Sequence, residues 1–291
     1  MAASMSRLEG ASVLVLGAGY VGQSLVARLT ARNATVFTLS RHPRQPQPRE
    51  VCIVADVTER TSLRQVPRQL DFVVYLVGPD AATDAAYRAA YVEGLQNLLS
   101  LPAASGASIK RVIFASSTAV YAHDNGGWVD ETSETFPTRF SGQRLLEAER
   151  LLAGAGLPST SLRFAGIYGP GRQRLLNSVL GGEARLSPKS SFTNRIHRDD
   201  CAGVIEHLLE LENAEPLYLG VDSEPAELND ILSWLANASG AEAPAFDPHH
   251  EPKTRGGNKR CSNRRLLRTG YQLLYPSFRE GYRALLSART A

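Results

Sequence analysis

Three glycines near the amino terminus have the spacing of a loop that binds a pyrophosphate. Gly17, Gly19 and Gly22 follow a short apolar run and precede a helical apolar pattern. In such a loop the first glycine permits a tight turn, the second lets the backbone approach the phosphates, and the third lets the helix pack on the strand. The free N–H groups at the helix start attract the anion. The pattern predicts a dinucleotide site that includes Tyr20 and Val21; the alternative is that the glycines only turn the chain.

The end of the second predicted strand bears on which dinucleotide binds. NAD-binding chains usually place Asp or Glu there, about 20 residues after the first glycine, to accept from the ribose 2′-hydroxyl. This chain has no carboxylate between Gln23 and Arg49, and carries Ser40, Arg41 and Arg44 instead. Guanidinium groups pair with phosphate in a charge-assisted way, whereas a carboxylate repels it. The sequence predicts NADP, with NAD as the alternative; the arginines could also belong to a solvated, proline-rich loop.

Composition and length are typical of a soluble enzyme. The 291 residues are 43% hydrophobic, and the net charge of +3 is too small to predict nucleic-acid binding. The first residues lack the apolar core of a signal peptide, and no apolar run approaches the roughly 20 residues of a membrane span, which predicts a cytoplasmic protein. Cys52, Cys201 and Cys261 are widely separated, and His249 and His250 lie in a proline-flanked loop, so no metal site is predicted.

Short β-rich runs alternate with helical patterns through the first half of the chain. This order predicts right-handed βαβ units and therefore a parallel sheet with helices on both faces. The second half has longer loops between its helical patterns. Helices are predicted over residues 85–106, 141–156, 198–211 and 227–240.

The predicted fold class is therefore α/β, a Rossmann-like doubly wound parallel sheet of about seven strands with a small C-terminal substrate lobe. The dinucleotide-binding core is assigned to residues 10–170. The lobe is assigned to residues 171–291, interleaved with the end of the sheet.

Several further motifs extend over nearly the whole chain. They are "ADVTE" from Ala55, "VYLVGPD" from Val74, "YVEGLQNLL" from Tyr91, "FASSTAVYA" from Phe114, "LRFAGIYGPGR" from Leu162, "NRIHRDDCAGVI" from Asn194 and the late "LLRTGYQLLYPSFREGYRALL". Together with the glycine loop they resemble the extended and atypical short-chain dehydrogenases/reductases, a family that includes nucleotide-sugar epimerases and dehydratases.

The resemblance implies roles for individual positions. It implies that Asp56 and Val57 contact the adenine, and that Asn97 is structural. The remaining implied positions are Val77 and Gly78 against the cofactor, Ser117 as the active-site hydroxyl and Phe164 beside the nicotinamide.

The chain departs from this family at the residues that move protons. The family uses a Tyr and a Lys four residues later, where this chain has Phe140 and Arg144. Phe140 has no ionisable hydroxyl, and Arg144 stays charged, although it could still bind the nicotinamide ribose. Four side chains could replace the missing acid or could simply pack in the core: Tyr121, His123, Tyr168 and His197.

Two classes of function stay open from the sequence. One is an NAD(P)-dependent oxidoreductase or epimerase that acts on a nucleotide sugar or another carbonyl or polyol compound, without the usual Tyr/Lys pair. The alternative is a catalytically inactive protein that senses NADP(H). Arg172, Arg174 and Arg195 could bind a diphosphate or could be solvated. The predicted partner is a small molecule, neither nucleic acid nor membrane, and a homodimer is left open.

Overall fold

The computed structural model describes residues 6–101, 109–189, 191–251 and 256–290. The chain forms two compact units, and each of them is discontinuous in sequence. The first unit comprises the chain up to Val120, Pro137–Arg163 and Ala202–Tyr218; the second comprises Tyr121–Phe136, Phe164–Cys201 and the chain from Leu219 onward. The sequence assigned residues 121–136 and 164–170 to the sheet domain and residues 202–218 to the lobe, so these three segments are grouped differently.

The strands are short outside the central sheet. In chain order the described strands are β1 (Ser12–Leu16), β2 (Thr35–Ser40), β3 (Glu50–Val54), β4 (Phe72–Tyr75), β5 (Arg111–Ser117), β6 (Trp128–Val129), β7 (Ser159–Phe164), β8 (Gly166–Tyr168), β9 (Arg185–Leu186), β10 (Phe192–Thr193), β11 (Arg195–His197), β12 (Leu217–Gly220), β13 (Ala226–Glu227), β14 (Ala245–Phe246) and β15 (Arg260–Cys261).

The described helices follow the predicted order. They are α1 (Tyr20–Ala31), α2 (Asp84–Tyr87), α3 (Gly94–Leu99), α4 (Phe140–Ala153), α5 (Arg174–Leu180), α6 (Arg198–Glu210), α7 (Leu228–Ser239), α8 (Arg264–Arg268) and α9 (Phe278–Thr290). A π-helical turn, Arg88–Glu93, joins α2 to α3, and 3₁₀ segments cover Arg60–Gln65 and Thr118–Val120. The predicted helix over residues 85–106 thus reaches Leu99, and its residues 102–106 lie outside the described part of the chain.

The central sheet has seven strands in the order β12-β7-β5-β4-β1-β2-β3, which confirms the predicted α/β fold class. The strands β1, β2, β3, β4 and β5 pair in parallel. From β1 the chain builds β2 and β3 on one side, and later β4 and β5 on the other. The order therefore reverses between β1 and β4, and ligands of such sheets bind at the carboxyl ends of the strands flanking this reversal.

The second unit is held by helices and four two-stranded ladders. β8 pairs with β11, β9 with β14 and β6 with β15 in parallel, whereas β10 pairs antiparallel with β13. The helix predicted over residues 227–240 is confirmed as α7 of this unit. The helix predicted over residues 198–211 is confirmed as α6, which belongs to the first unit from Ala202 onward. The hydrophobic core of the second unit contains Tyr168, Leu176, Val179, Ala184, Ala226, Ile231, Leu232, Leu235, Ala236, Phe278, Tyr282 and Leu285.

Candidate functional site

The glycine loop lies between β1 and α1 and is shaped by its own backbone. Gly17 has a φ of +91°, and a Cβ added there would come within 2.7 Å of the Leu76 carbonyl carbon. A Cβ on Gly22 would come within 2.4 Å of the Gly17 carbonyl oxygen. A Cβ on Gly19 would meet no described atom within 4 Å. Gly17 and Gly22 are therefore required by the fold, whereas Gly19 leaves its backbone open to a ligand.

Helix α1 starts at Tyr20, directly after Gly19, and no side chain caps its first N–H groups. An uncapped helix start of this kind favours anions, because its N–H groups and its dipole both point toward them. The first turn of α1 also contains no acidic side chain. The binding roles of Tyr20 and Val21 stay predictions.

The segment after β3 is fixed by an amide and a carboxylate. Asp56 Oδ1 accepts hydrogen bonds from the Thr58 N–H (2.9 Å) and from the Thr58 hydroxyl (2.8 Å). Asn97 Nδ2 donates to the carbonyls of Val57 (2.9 Å) and Thr58 (3.1 Å), so Asn97 has a structural role. The side chain of Val57 is buried. Contact of Asp56 and Val57 with an adenine stays a prediction.

Arg41, the residue after β2, pairs with Asp80, which lies five residues after the end of β4. Ser40 donates its hydroxyl to the His42 carbonyl (2.8 Å). Arg41 pairs with Asp80 through both guanidinium nitrogens, one of them at 2.6 Å from Asp80 Oδ1. Both side chains are about half exposed. This hydrogen bond raises the pKa of Arg41 and lowers the pKa of Asp80.

Arg44 does not face the same way as Arg41. Its guanidinium donates to the Thr38 hydroxyl (2.9 Å) and forms an ion pair with the buried carboxylate of Glu50. Of the two arginines that the sequence placed near a 2′-phosphate, Arg44 therefore has a structural role. Glu50 lies one residue beyond the carboxylate-free stretch, and no local pattern marks it as the partner.

The strand β4 ends beside the glycine loop. The Leu76 N–H donates to the Leu16 carbonyl (2.7 Å), and the Gly17 N–H donates to the Leu39 carbonyl (3.0 Å). Val77 is half-buried and Gly78 is exposed. These bonds bring the ends of β1, β2 and β4 to one edge of the sheet, where Val77 and Gly78 follow β4.

Ser117 is the last residue of β5 and is half-buried. Its hydroxyl oxygen accepts a hydrogen bond from the Ala119 N–H (3.2 Å). A Cβ on Gly142, in the first turn of α4, would come within 2.5 Å of the Ala119 carbonyl oxygen. The start of α4 therefore packs closely on the segment that follows Ser117.

Two buried charges hold the residue before Ser117. Ser116 donates its hydroxyl to Glu149 (2.5 Å), and Glu149 accepts from Arg163 at 2.9 Å and 2.6 Å. The Glu149 and Arg163 side chains are almost fully buried. This ion pair joins β5, α4 and β7. Sequence reasoning missed it, although Glu149 falls on the apolar face of its helix, and that position is the one available signal.

The two substituted positions of the proton-transfer pair lie on α4 and face α2. Phe140 starts the helix, and its ring lies 5.3 Å from the Tyr87 ring at 86°. Arg144 donates from Nε and Nη2 to the two oxygens of Asp84, each at 2.8 Å, and from Nη1 to Glu147 at 2.7 Å. These carboxylates raise the pKa of Arg144, and Arg144 lowers the pKa of Asp84. Tyr87 was missed from the sequence because its spacing from Phe140 carries no local signal.

The four candidate acids belong to the second unit, and three of them are deeply buried. Tyr121 is buried, and its hydroxyl donates to the Asp130 carbonyl (2.7 Å). The Tyr121 ring packs against His123. Tyr168 stacks on Tyr282 with a centroid distance of 4.7 Å. The first two acids that the sequence offered therefore have packing or hydrogen-bonding partners of their own, and so has Tyr168.

His197 lies in the same core as Tyr168. Its ring is 5.3 Å from Tyr168 and 4.1 Å from Tyr275, and only 2% of the residue is exposed. Burial lowers the pKa of His197 and raises the pKa of Tyr168. Asp200 accepts hydrogen bonds from the N–H groups of Leu274 and Tyr275. Tyr168 thus belongs to the hydrophobic core of the second unit, and His197 is buried against its ring. Phe164, also buried in this unit, keeps its nicotinamide contact as a prediction.

Two absences concern the described part of the chain only. No group of three or more His, Cys, Asp or Glu side chains could hold a metal ion there. None of the helices described is long and apolar enough to cross a bilayer.

Known proteins resemble this chain over most of its length. A 3-diazoavenalumate denitrifying reductase of a Streptomyces species is 27% identical, over 92% of this chain and 98% of the relative. A 4-hydroxy-2-methyl-3-oxo-4-farnesyl-3,4-dihydroquinoline-1-oxide ketoreductase of Stigmatella aurantiaca is 26% identical, over 78% of this chain and 72% of the relative. A solved structure from Methylobacillus flagellatus, provisionally named an NAD-dependent epimerase/dehydratase, is 38% identical with a TM-score of 0.80, over 97% of this chain and all of the other.

The family model that matches this chain spans residues 13–181, more than half of its length. The matched region contains the glycine loop, Ser117 and the first turn of α4. With the seven-stranded sheet order, these findings show that the chain belongs to the NAD-dependent epimerase/dehydratase family.

Proposed function

We propose that this protein is an NADP(H)-dependent reductase of a small carbonyl compound or a related electrophile. The observation that carries the proposal is the glycine loop at the strand-order reversal, with an open backbone at Gly19 and an uncapped helix start. Two relatives named as reductases, one of them matched almost from end to end, support reduction over epimerisation.

Groups of the first unit would hold the pyrophosphate, the adenine and the 2′-phosphate of the cofactor. The backbone from Gly17 to Gly22 would hold the pyrophosphate, and Asp56 and Val57 the adenine end. Ser40 and Arg41 would hold the 2′-phosphate, since the end of β2 offers a hydroxyl and a guanidinium and no carboxylate. NAD is the alternative cofactor. When bound, the reduced nicotinamide supplies a hydride to the substrate.

Ser117 is the residue proposed to act on the substrate. Its hydroxyl would donate a hydrogen bond to the reacting oxygen, which gains negative charge as the hydride arrives. Phe140 cannot deliver the proton that follows, so water or another side chain would supply it. The buried ion pair of Glu149 and Arg163 holds Ser116 and so fixes the strand end from which Ser117 projects.

The experiment measures NADPH oxidation with a panel of ketones, aldehydes, quinones and nucleotide sugars. Ser117→Ala should lower turnover about 10- to 1,000-fold, the cost of one hydrogen bond to a developing oxyanion, while NADPH binding changes little. Ser100→Ala, an exposed hydroxyl of the same unit, is the control and should have no effect. Turnover that is indifferent to Ser117→Ala would contradict the assigned role.

A second function, an NADP(H) sensor, is favoured by one observation. Arg144 stands at the lysine position, and both of its hydrogen-bonding faces are occupied by Asp84 and Glu147. A sensor needs cofactor binding and no proton transfer. Absence of hydride transfer to every substrate, together with capture of a partner protein that depends on NADP(H), would establish this alternative.

A further inference from the structure

The ion pair of Arg41 and Asp80 joins two loops on either side of β1. Arg41 follows β2, and Asp80 lies five residues after the end of β4. In the sheet, β1 lies between these two strands. The pair therefore bridges the carboxyl end of β1, where the glycine loop begins. Hydrogen bonds of the Gly17 N–H to Leu39 and of the Leu76 N–H to Leu16 keep the three strand ends together.

Arg41 is the side chain that the proposed function assigns to the 2′-phosphate. Asp80 already pairs with both terminal guanidinium nitrogens of Arg41, Nη1 and Nη2. A guanidinium fork binds a carboxylate or a phosphate in the same bidentate geometry, so the two anions compete for one partner.

The competition favours a phosphate that carries more charge than a carboxylate. A phosphate monoester carries about −1.5 to −2 charges at neutral pH, against −1 for Asp80. Arg41 and Asp80 are 49% and 62% exposed, and exposed ion pairs of this kind contribute little to stability. A 2′-phosphate can therefore displace Asp80, whereas NAD, which has only a hydroxyl there, leaves the ion pair intact.

We propose that Asp80 is a specificity-determining residue, an internal carboxylate that the 2′-phosphate of NADP displaces from Arg41. The proposal rests on the proposed NADP site and deepens it. Asp80 weakens the binding of NADP in two ways, by occupying Arg41 and by repelling the phosphate. It has no comparable effect on NAD.

The segment that contains Asp80 is anchored further along the chain by a second set of contacts. Asp80 lies four residues before Asp84, whose two oxygens bind Arg144. Thr83 caps the helix that starts at Asp84, through its hydroxyl and the Ala86 N–H (3.3 Å). This cap and the Arg144 pair keep the far end of the segment anchored. Any rearrangement that follows release of Asp80 is therefore expected to stay between Gly78 and Thr83 and to leave α2 in place.

The test is equilibrium binding of NADPH and NADH, followed by nicotinamide fluorescence at low ionic strength. The variants are Asp80→Asn, Arg41→Ala and the double variant. Asp80→Asn should tighten NADPH about two- to fivefold and change NADH less than about 1.5-fold, on the scale of an exposed ion pair. In the Arg41→Ala background, Asp80→Asn should have less effect on NADPH, because only the repulsion of the phosphate by Asp80 is then removed.

A matched control is the pair of Arg88 and Glu93, joined at 3.0 Å with exposures of 50% and 48%. Glu93→Gln should leave the affinity of both cofactors unchanged. The proposal is overturned if Asp80→Asn leaves NADPH affinity unchanged, weakens it, or shifts both cofactors equally.

The same measurements separate this proposal from the proposed function. Tighter binding of NADH than NADPH by the native protein would refute the NADP assignment. A selective gain for NADPH in Asp80→Asn would still support Asp80, which would then act as a determinant of NAD preference. Absence of hydride transfer would refute the reductase and leave the binding result as it stands.

Discussion

Polar side chains are exposed at the strand ends beside the glycine loop of the first unit, and they are buried in the aromatic core of the second. At the strand ends of the first unit, Arg41 and Asp80 form an ion pair that is half exposed. In the second unit, Tyr168 and His197 are packed between rings and almost fully buried. Residue types that suggest catalysis are thus core residues in one region, while an exposed ion pair marks the predicted binding edge in the other.

The space around two glycines, Gly19 and Gly281, shows the same difference between the two regions. A Cβ on Gly19 has open space, and a Cβ on Gly281 in α9 would come within 1.9 Å of the Tyr168 hydroxyl oxygen. Tyr168 cannot move aside easily, because its ring is held by Tyr282 and His197. The space at the glycine is open in the first case and filled by the protein in the second.

The largest expected effect comes from placing the same side chain at both glycines. Gly281→Val should lower the free energy of unfolding by about 3 kcal/mol or more through overpacking. Helix propensity alone would favour the valine slightly over glycine, so the sign of the change tests packing. Gly19→Val should keep the free energy of unfolding within about 1 kcal/mol and abolish NADPH binding by steric exclusion. Denaturant unfolding and calorimetric binding check both variants.

An equal loss of stability in the two variants would break the comparison. So would normal NADPH binding by Gly19→Val, since the predicted site would then lie elsewhere. Ser24→Ala, on the same helix as Gly22, offers a control for effects of mutation near the loop.

A middle-sized effect concerns Asp222, a buried carboxyl in the core of the second unit. Burial raises its pKa to about 8, although the nearby Arg195 opposes that shift. In the unfolded chain the same group ionises near pH 4. Between these values the native state holds a proton that the unfolded state has lost, so stability is fully present below about pH 4 and falls as the pH rises toward 8.

Asp222→Asn should remove this part of the pH dependence. Between pH 5 and 8 we expect the native protein to lose roughly 1–3 kcal/mol of unfolding free energy that the variant retains. Urea unfolding at a series of pH values measures the slope. Asp230→Asn, an exposed carboxylate of the same unit, should keep the native slope. Parallel slopes for the native protein and Asp222→Asn would show that the carboxyl ionises normally.

The parts of the fold that the sequence predicted are those set by local patterns. Apolar runs predicted the strands through β5, and the glycine spacing predicted the turn into α1. The grouping of Tyr121–Phe136 with the second unit depends on contacts with segments distant in sequence, such as the pairing of β6 with β15. Strands of two residues carry no periodic signal, so these ladders could not be predicted.

The candidate site also contains features that local motifs predict and features that depend on distant residues. Ser117, Phe140 and Arg144 follow from local motifs, and the structure places them on β5 and α4 as expected from those motifs. Asp80, the partner of Arg41, and Asp84, one of the two partners of Arg144, by contrast lie 39 and 60 residues away. A partner at such a separation is chosen by the order of strands in the sheet, which a local pattern does not contain. The sequence left open whether Tyr168 and His197 pack in the core or act as acids, and contacts with distant segments such as Tyr282 and Tyr275 decide for packing.

The smallest expected effect distinguishes two tyrosine hydroxyls within the second unit. Tyr121 donates to the Asp130 carbonyl, so Tyr121→Phe should cost about 0.5–1.5 kcal/mol of unfolding free energy. The buried Tyr168 hydroxyl has no hydrogen-bond partner among the described residues, so Tyr168→Phe should be neutral or slightly stabilising. Thermal and urea unfolding measure both variants.

If neither phenol is the substitute acid, each variant keeps NADPH oxidation within about threefold of the native rate, whereas the loss of a general acid costs about 100-fold or more. A 100-fold loss in Tyr121→Phe with unchanged stability would make that hydroxyl catalytic and would remove the contrast between the two regions.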